Sequence, residues 1–157
     1  MKKSFRSIAL FTLAALIAVM FTSCTKTPSD AESFKKLAES KNYEVYDASS
    51  QYSDSVEITE CIIAFPSGHD FQIEFYTITD KDNAKKLYQA QSDIMEGVKG
   101  SSYSGGVSNG SNYAKRTLTT DGKYLMVTYI ENTLIYVPPT DQKYKDEINS
   151  FIKDFKY

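Results

Sequence analysis

Residues 113–137 read YAKRTLTTDGKYLMVTYIENTLIYV, and they set the fold class. Three runs with strand character, 113–120, 123–130 and 133–137, are separated by only two residues each, Asp121-Gly122 and Glu131-Asn132. An Asp-Gly pair is a strong signal for a type I′ turn, whose backbone twist matches that of the strands it joins. Strands joined so tightly are antiparallel, because a parallel crossover needs a dozen residues or more.

A second hairpin lies upstream. Residues 56–65 (VEITECIIAF) and 71–78 (FQIEFYTI) flank Pro66-Ser67-Gly68-His69-Asp70. In the second run Phe71, Ile73 and Phe75 alternate with Gln72, Glu74 and Tyr76, which predicts one buried and one wetter face. A turn centred on Ser67-Gly68 sets Cys61 near Phe75, Glu60 opposite Tyr76 and Glu74 opposite Ile62.

Helices surround these strands. Ser29 followed by Glu32 reads as a capping box, with Ala31, Phe34, Leu37 and Ala38 as the inward stripe of a helix ending near Lys41. A short strand follows at 43–48. Asp80 caps a second helix, in which Ala84, Leu87, Tyr88, Gln91, Ile94, Met95 and Val98 recur at three- and four-residue spacing before Gly97 and Gly100 end it. Pro138-Pro139 stops the sheet, and a last helix starts at Thr140 or Asp141 with Tyr144, Ile148, Phe151, Ile152 and Phe155 on its apolar face. The order is α-β-β-β-α-β-β-β-α. The fold class is α+β, an antiparallel sheet of about six strands with helices mainly on one face. Lys35-Lys36-Leu37 and Lys85-Lys86-Leu87 mark two similar helix-strand-hairpin units, which are either an internal duplication or the ordinary reuse of common parts.

The amino terminus has a different character. Lys2, Lys3 and Arg6 precede a 14-residue apolar run, IALFTLAALIAVMF at 8–21, and then Thr22-Ser23-Cys24. This is the layout of a secretory signal. As a helix the run spans about 21 Å, short of the roughly 30 Å hydrocarbon core. Phe21-Thr22-Ser23-Cys24 resembles the lipobox of bacterial lipoproteins, with Phe21 where that family usually has Leu. The alternative is plain secretion, for which Phe21 at the −3 position fits poorly. The resemblance implies residues 1–23 as a signal peptide, a lipidated Cys24 opening a short tether at 24–29, and one α+β domain at 30–157. It also implies a place on the extracytoplasmic side of a bacterial cell membrane, held by acyl chains whose burial is worth about 0.8 kcal/mol per methylene. The mature domain resembles small lipoproteins of unknown function.

Processing changes the charge. The whole chain has 157 residues, 18 Lys+Arg, 20 Asp+Glu and a formal net charge of −2. The first 23 residues carry three cations and no anions, so the mature chain stands at −5. An acidic body excludes nucleic acid as a partner and leaves anchoring to the lipid. Two Cys and one His exclude a disulfide-dense scaffold and a zinc module.

Catalytic motifs are missing. Cys61 and His69 are the one thiol and the one imidazole left after lipidation, but the hairpin separates them by roughly 20 Å of strand and turn, so they form no dyad. Cys61 reads as a small hydrophobe and His69 as a solvated turn residue. There is no G-x-S-x-G, and Ser33-Phe34-Lys35-Lys36 matches a Ser-Lys spacing only. Asp80, Asp82 and Asn83 lack the Gly and distal Glu of a calcium loop and suit a helix first turn. Glu57, Glu60 and Glu74 read as solvated strand residues. No phosphate loop or dinucleotide fingerprint occurs, and no cofactor is implied.

Two features suit binding. All 12 tyrosines lie in the mature chain, several on strands or loops where a rigid amphipathic ring gives contact area at low entropy cost. The stretch 100–112, GSSYSGGVSNGSN, is either a flexible crossing loop or a binding loop with a paratope's vocabulary. The sequence therefore points to a lipid-anchored, non-catalytic binding protein, with an accessory subunit of an envelope complex as the alternative and a hydrolase third. Its binding surface is placed on Tyr76, Tyr103, Asn109 and Tyr113, and its partner is an envelope protein, a peptide or a glycan.

Overall fold

The computed structural model describes residues 25–55 and 57–157; Cys24, the signal segment and Val56 lie outside them. Helices α1 (Ala31–Ser40), α2 (Lys81–Gly97) and α3 (Lys145–Asp154) pack on a seven-stranded antiparallel sheet. Its strands are β1 (Glu44–Asp47), β2 (Ile58–Phe65), β3 (Ile73–Ile78), β4 (Tyr103–Asn109), β5 (Tyr113–Thr120), β6 (Lys123–Ile130) and β7 (Thr133–Asp141), in the spatial order β1-β2-β3-β7-β6-β5-β4. The α+β class stands. The strand count changes from about six to seven, because Tyr103–Asn109, read as part of a loop, is a strand paired with β5 through all seven residues.

The two faces of the sheet carry separate cores. On one, Phe34 of α1 and Phe151 of α3 meet Phe75 of β3, with Met126, Ile135 and Val137 beneath them. Phe34 stacks on Phe75 at 5.3 Å and meets Phe151 edge-on at 5.5 Å. On the other, Ala84 and Met95 of α2 close over Ile78, Leu118, Leu125, Val127 and Leu134. Two helices thus share one face, and α2 alone covers part of the other. A rotation about the sheet normal that lays β1–β3 on β5–β7 leaves faces unchanged, so it does not carry α1 onto α2. The repeated order along the chain is not a repeated unit in space.

Local details shift for physical reasons. Asp30, not Ser29, caps α1, accepting from the Ser33 N–H at 2.8 Å. Asp80 caps α2 as expected, accepting from the Asn83 N–H at 2.8 Å. Ile94 and Val98, assigned to the apolar stripe of α2, are exposed. The sheet does not stop at Pro138-Pro139: β7 runs on to Asp141. Its pairing with β3 ends at Tyr136, so both prolines stand on a free edge where no N–H is needed, and the β6 ladder absorbs them in a register shift between Tyr124 and Met126. Asp141 caps a 3-10 turn at Gln142–Tyr144, and α3 begins only at Lys145. In the upstream hairpin Cys61 faces Tyr76, Glu60 faces Thr77 and Ile63 faces Glu74, one residue from the expected register. The difference arises at the turn, where Ala64 already faces Ile73, so the loop centres on Gly68-His69 with His69 at a φ of 51°; the bulge between Ile58 and Glu60 lies beyond it and returns Ile58 to Ile78.

Candidate functional site

The descent of α2 across the sheet leaves a groove of about 470 Å³ between the helix and strands β4, β5 and β6. From α2 come Lys85, Gln89, Ser92 and Asp93, which the 3.6-residue repeat sets along one flank. From the sheet come Val107 and Asn109 of β4, Arg116 of β5 and Tyr129 of β6. The volume falls in the usual range for small-molecule sites, about 300–1,000 Å³.

The groove is polar with an aromatic wall. Tyr88 and Tyr129 lie 5.2 Å apart at 58°. The Arg116 guanidinium is bonded to the Glu96 carboxylate, which also takes the Lys99 ammonium. Those bonds, Lys99's foremost, hold Glu96 below the usual carboxylate range. Ser92 is only 6% exposed, and its hydroxyl has no hydrogen-bond partner among the described residues. Buried hydroxyls are normally satisfied, because leaving one unpaired costs about 1–3 kcal/mol. Together the hydroxyl, the carboxamides of Gln89 and Asn109, and the two charge signs suit a ligand with both donors and acceptors.

The residues chosen from sequence separate into three places. Asn109 ends β4 and Tyr113 opens β5, and both line the groove. The Tyr113 ring turns to the α1/α3 side, where the Lys26 ammonium sits 4.8 Å from its centroid. Tyr103 starts β4 at the other end, 57% exposed, with the Lys99 ammonium 4.6 Å from its ring. Tyr76 is not on an exposed face: it is half-buried in a separate hollow of about 150 Å³ with Tyr52, Leu87 and Tyr136. Cys24, the lipidation residue, lies outside the described residues.

Of the three strand carboxylates read as solvated, Glu57 is exposed and Glu60 partly so, but Glu74 is not. Glu74 is 8% exposed and accepts from Gln72 Nε2 and the Tyr76 hydroxyl. Tyr52 and Tyr76 place their hydroxyls 3.3 Å apart. Burial first, and then the Glu74 charge, push the Tyr76 phenol far up and the Cys61 thiol up to about 11. A buried thiol so raised is a poor nucleophile. His69 lies at the turn, stacked on Phe65 at 5.0 Å with Nε2 3.0 Å from the Glu44 carboxylate, so Cys61 and His69 are apart as the hairpin implies.

Sequence reasoning passed over Lys85, Gln89, Ser92 and Asp93. Their signal was present: Ser92 stands between Tyr88 and Met95 on the stripe where a core residue belongs. Among the described residues no group of three or more His, Cys, Asp or Glu is placed to hold a metal ion, and no helix is long and apolar enough to cross a membrane.

No family model and no curated protein matches the chain. Among solved structures, a GTP binding regulator from Thermotoga maritima is similar at 17% identity, covering 81% of this chain and 84% of that one, with a TM-score of 0.47.

Proposed function

We propose that this chain is a lipid-anchored, extracytoplasmic binding protein without a catalytic role, which holds a glycan or a peptide segment of an envelope partner in the groove between α2 and strands β4–β6. The observation that carries the reading is the buried Ser92 hydroxyl, unpaired on the wall of a polar groove. The tilted pair of tyrosine rings supports it, since each ring is a rigid aromatic contact for a sugar or a peptide side chain. The address rests on Phe21-Thr22-Ser23-Cys24. With Cys24 as the anchor, Lys26 is at most about 7 Å along the chain from the lipid. Lys26 is itself tied to Asn112, in the turn after β4, so that end of the groove lies close to the membrane.

A photo-crosslinking side chain at Gln89 on intact cells tests the site. It captures a defined species, one at Glu39 on α1 does not, and Ser92→Val with Asn109→Ala lowers capture without lowering the melting temperature. Equal capture from positions 89 and 39 rejects the groove. Loss of palmitate labelling in Cys24→Ala tests the anchor separately.

A second reading, an accessory subunit of an envelope complex, is favoured by β4. All seven of its residues are exposed along an open sheet edge. Such an edge accepts a further strand.

A further inference from the structure

The two edges of the sheet are unlike. β1 is four residues long and bears Glu44 and Asp47. β4 is seven residues long, YSGGVSN, with no charge, no proline and no register break against β5. Short length, charge, proline and bulges are the devices by which natural edges avoid pairing, and β4 has none of them.

The hydrogen-bond parity of β4 is fixed by its far strand. The Gly110 N–H donates to the Tyr113 carbonyl, and Gly110 continues the register in which Ser108 faces Lys115. Even-numbered residues therefore turn their backbone groups toward β5. Antiparallel strands alternate, so the N–H and C=O of Tyr103, Gly105, Val107 and Asn109 point outward.

We infer that this edge pairs with β4 of a second copy of the chain, antiparallel, about a two-fold axis at Gly106. In that register Tyr103 lies opposite Asn109 and Gly105 opposite Val107. Outward residues face outward residues at all four positions of each strand, and every outward N–H and C=O is paired. A shift of two residues leaves one of the four without a mate. A parallel pair is excluded, because a two-fold would set each residue against itself while parallel ladders need inward and outward residues interleaved.

The side chains agree with this register. On the α2 face, Val107, 61% exposed, meets Gly105, which has no side chain to obstruct it. On the other face Ser104 meets Ser108. Self-pairing sets like against like, so the acidic β1 edge would repel itself and the neutral β4 edge does not. An axis normal to the sheet also leaves both Lys26 tethers on one side, the side of Tyr113, so two anchors can share a membrane. The inference is independent of what the groove holds.

Cysteine trapping in the full-length, membrane-bound protein tests it. A Cβ at Gly106 meets only the Thr117 Oγ1, at 3.7 Å, so a side chain fits there. Residues opposed in a non-hydrogen-bonded pair have Cα atoms about 4.5 Å apart, within reach of a disulfide. Under mild oxidation Gly106→Cys gives a covalent dimer, and the parent chain gives none. Ser104→Cys or Ser108→Cys alone gives none either, since each lies about 13 Å from its own mate. The two expressed together give the mixed dimer. Adding Val107→Lys to Gly106→Cys abolishes trapping. Absence of a Gly106→Cys dimer, equal trapping at all three single positions, or a crosslink only to a different protein overturns the inference.

Discussion

Asn112 binds Lys26 as one strand binds another: its Oδ1 accepts from the Lys26 N–H at 3.0 Å, and its Nδ2 donates to the Lys26 carbonyl at 2.7 Å. The same Nδ2 donates to the Glu131 carboxylate at 2.7 Å, and the Glu131 N–H donates to the Asn112 carbonyl at 2.9 Å. One carboxamide thus ties the segment at Lys26 to both the β4–β5 and the β6–β7 turns. At about 0.5–1.5 kcal/mol net per bond, Asn112→Ala is expected to cost about 1–3 kcal/mol and to free the tether. Trypsin should then cleave after Lys26 several-fold faster while the domain stays intact. Asn112→Asp should cost more than the alanine, because it replaces a donor with a second carboxylate beside Glu131. An unchanged cleavage rate in Asn112→Ala would show that the tether is held elsewhere.

Glu74 depends on two neutral donors, Gln72 and Tyr76. No cation contacts it among the described residues, so loss of one donor leaves a buried carboxylate short of partners. Tyr76→Phe should destabilise the domain by about 1–3 kcal/mol in urea unfolding. In a Glu74→Gln background the same change should cost less, since an amide is cheaper to leave underbonded than a charge. Equal cost in both backgrounds would mean that Tyr76 acts through packing alone.

Buried tyrosines make the domain sensitive to base, Tyr124 and Tyr157 among them. Tyr124 donates to Asn149 at 2.8 Å, and Tyr157 is hydrogen-bonded to Thr133. Burial raises both phenols to about 12. The unfolded chain ionises first, near pH 10, so their contribution is complete below pH 10 and is lost as pH climbs to about 12. The loss approaches about 1.4 kcal/mol per pH unit for each phenol across that window. A melting temperature flat from pH 8 to 9.5 and falling steeply by pH 11.5 is the expected profile. Tyr157→Phe should flatten part of that fall, and a variant as steep as the parent would remove Tyr157 from the account.

The strands that turn chemistry and alternation mark were legible, and the one that neither marks was not. Asp121 and Glu131 both sit at positive φ, 47° and 52°, at the tight turns that the two-residue spacings announce. β4 has no buried side chain at any of its seven positions, so no apolar period exists to be read; it is a strand because β5 offers it a backbone ladder. The hairpin register failed by one residue because the turn centres on Gly68-His69, where His69 rather than the glycine takes the positive φ of 51°. Likewise the groove depends on a serine where the helical stripe calls for a core residue, and only the position of β4 gives that serine something to face.

Gly105 and Gly106 are adjacent in β4 and should respond oppositely to the same substitution. A Cβ on Gly105 would lie 2.5 Å from the Thr117 carbonyl oxygen, a backbone atom that cannot step aside without opening the β4–β5 ladder. On Gly106 it would meet the Thr117 Oγ1 at an ordinary 3.7 Å. Gly105→Ala is therefore expected to cost about 1–3 kcal/mol and to speed amide exchange along β4. Gly106→Ala should fall within about 1 kcal/mol of the parent and can be stabilising, because the unfolded chain loses freedom while the folded one gains no clash. Because β4 walls the groove, Gly105→Ala should also weaken capture from position 89, which Gly106→Ala leaves intact. Equal destabilisation by the two alanines would mean that β5 yields to either side chain, and that the close approach at Gly105 does not hold the strand in place.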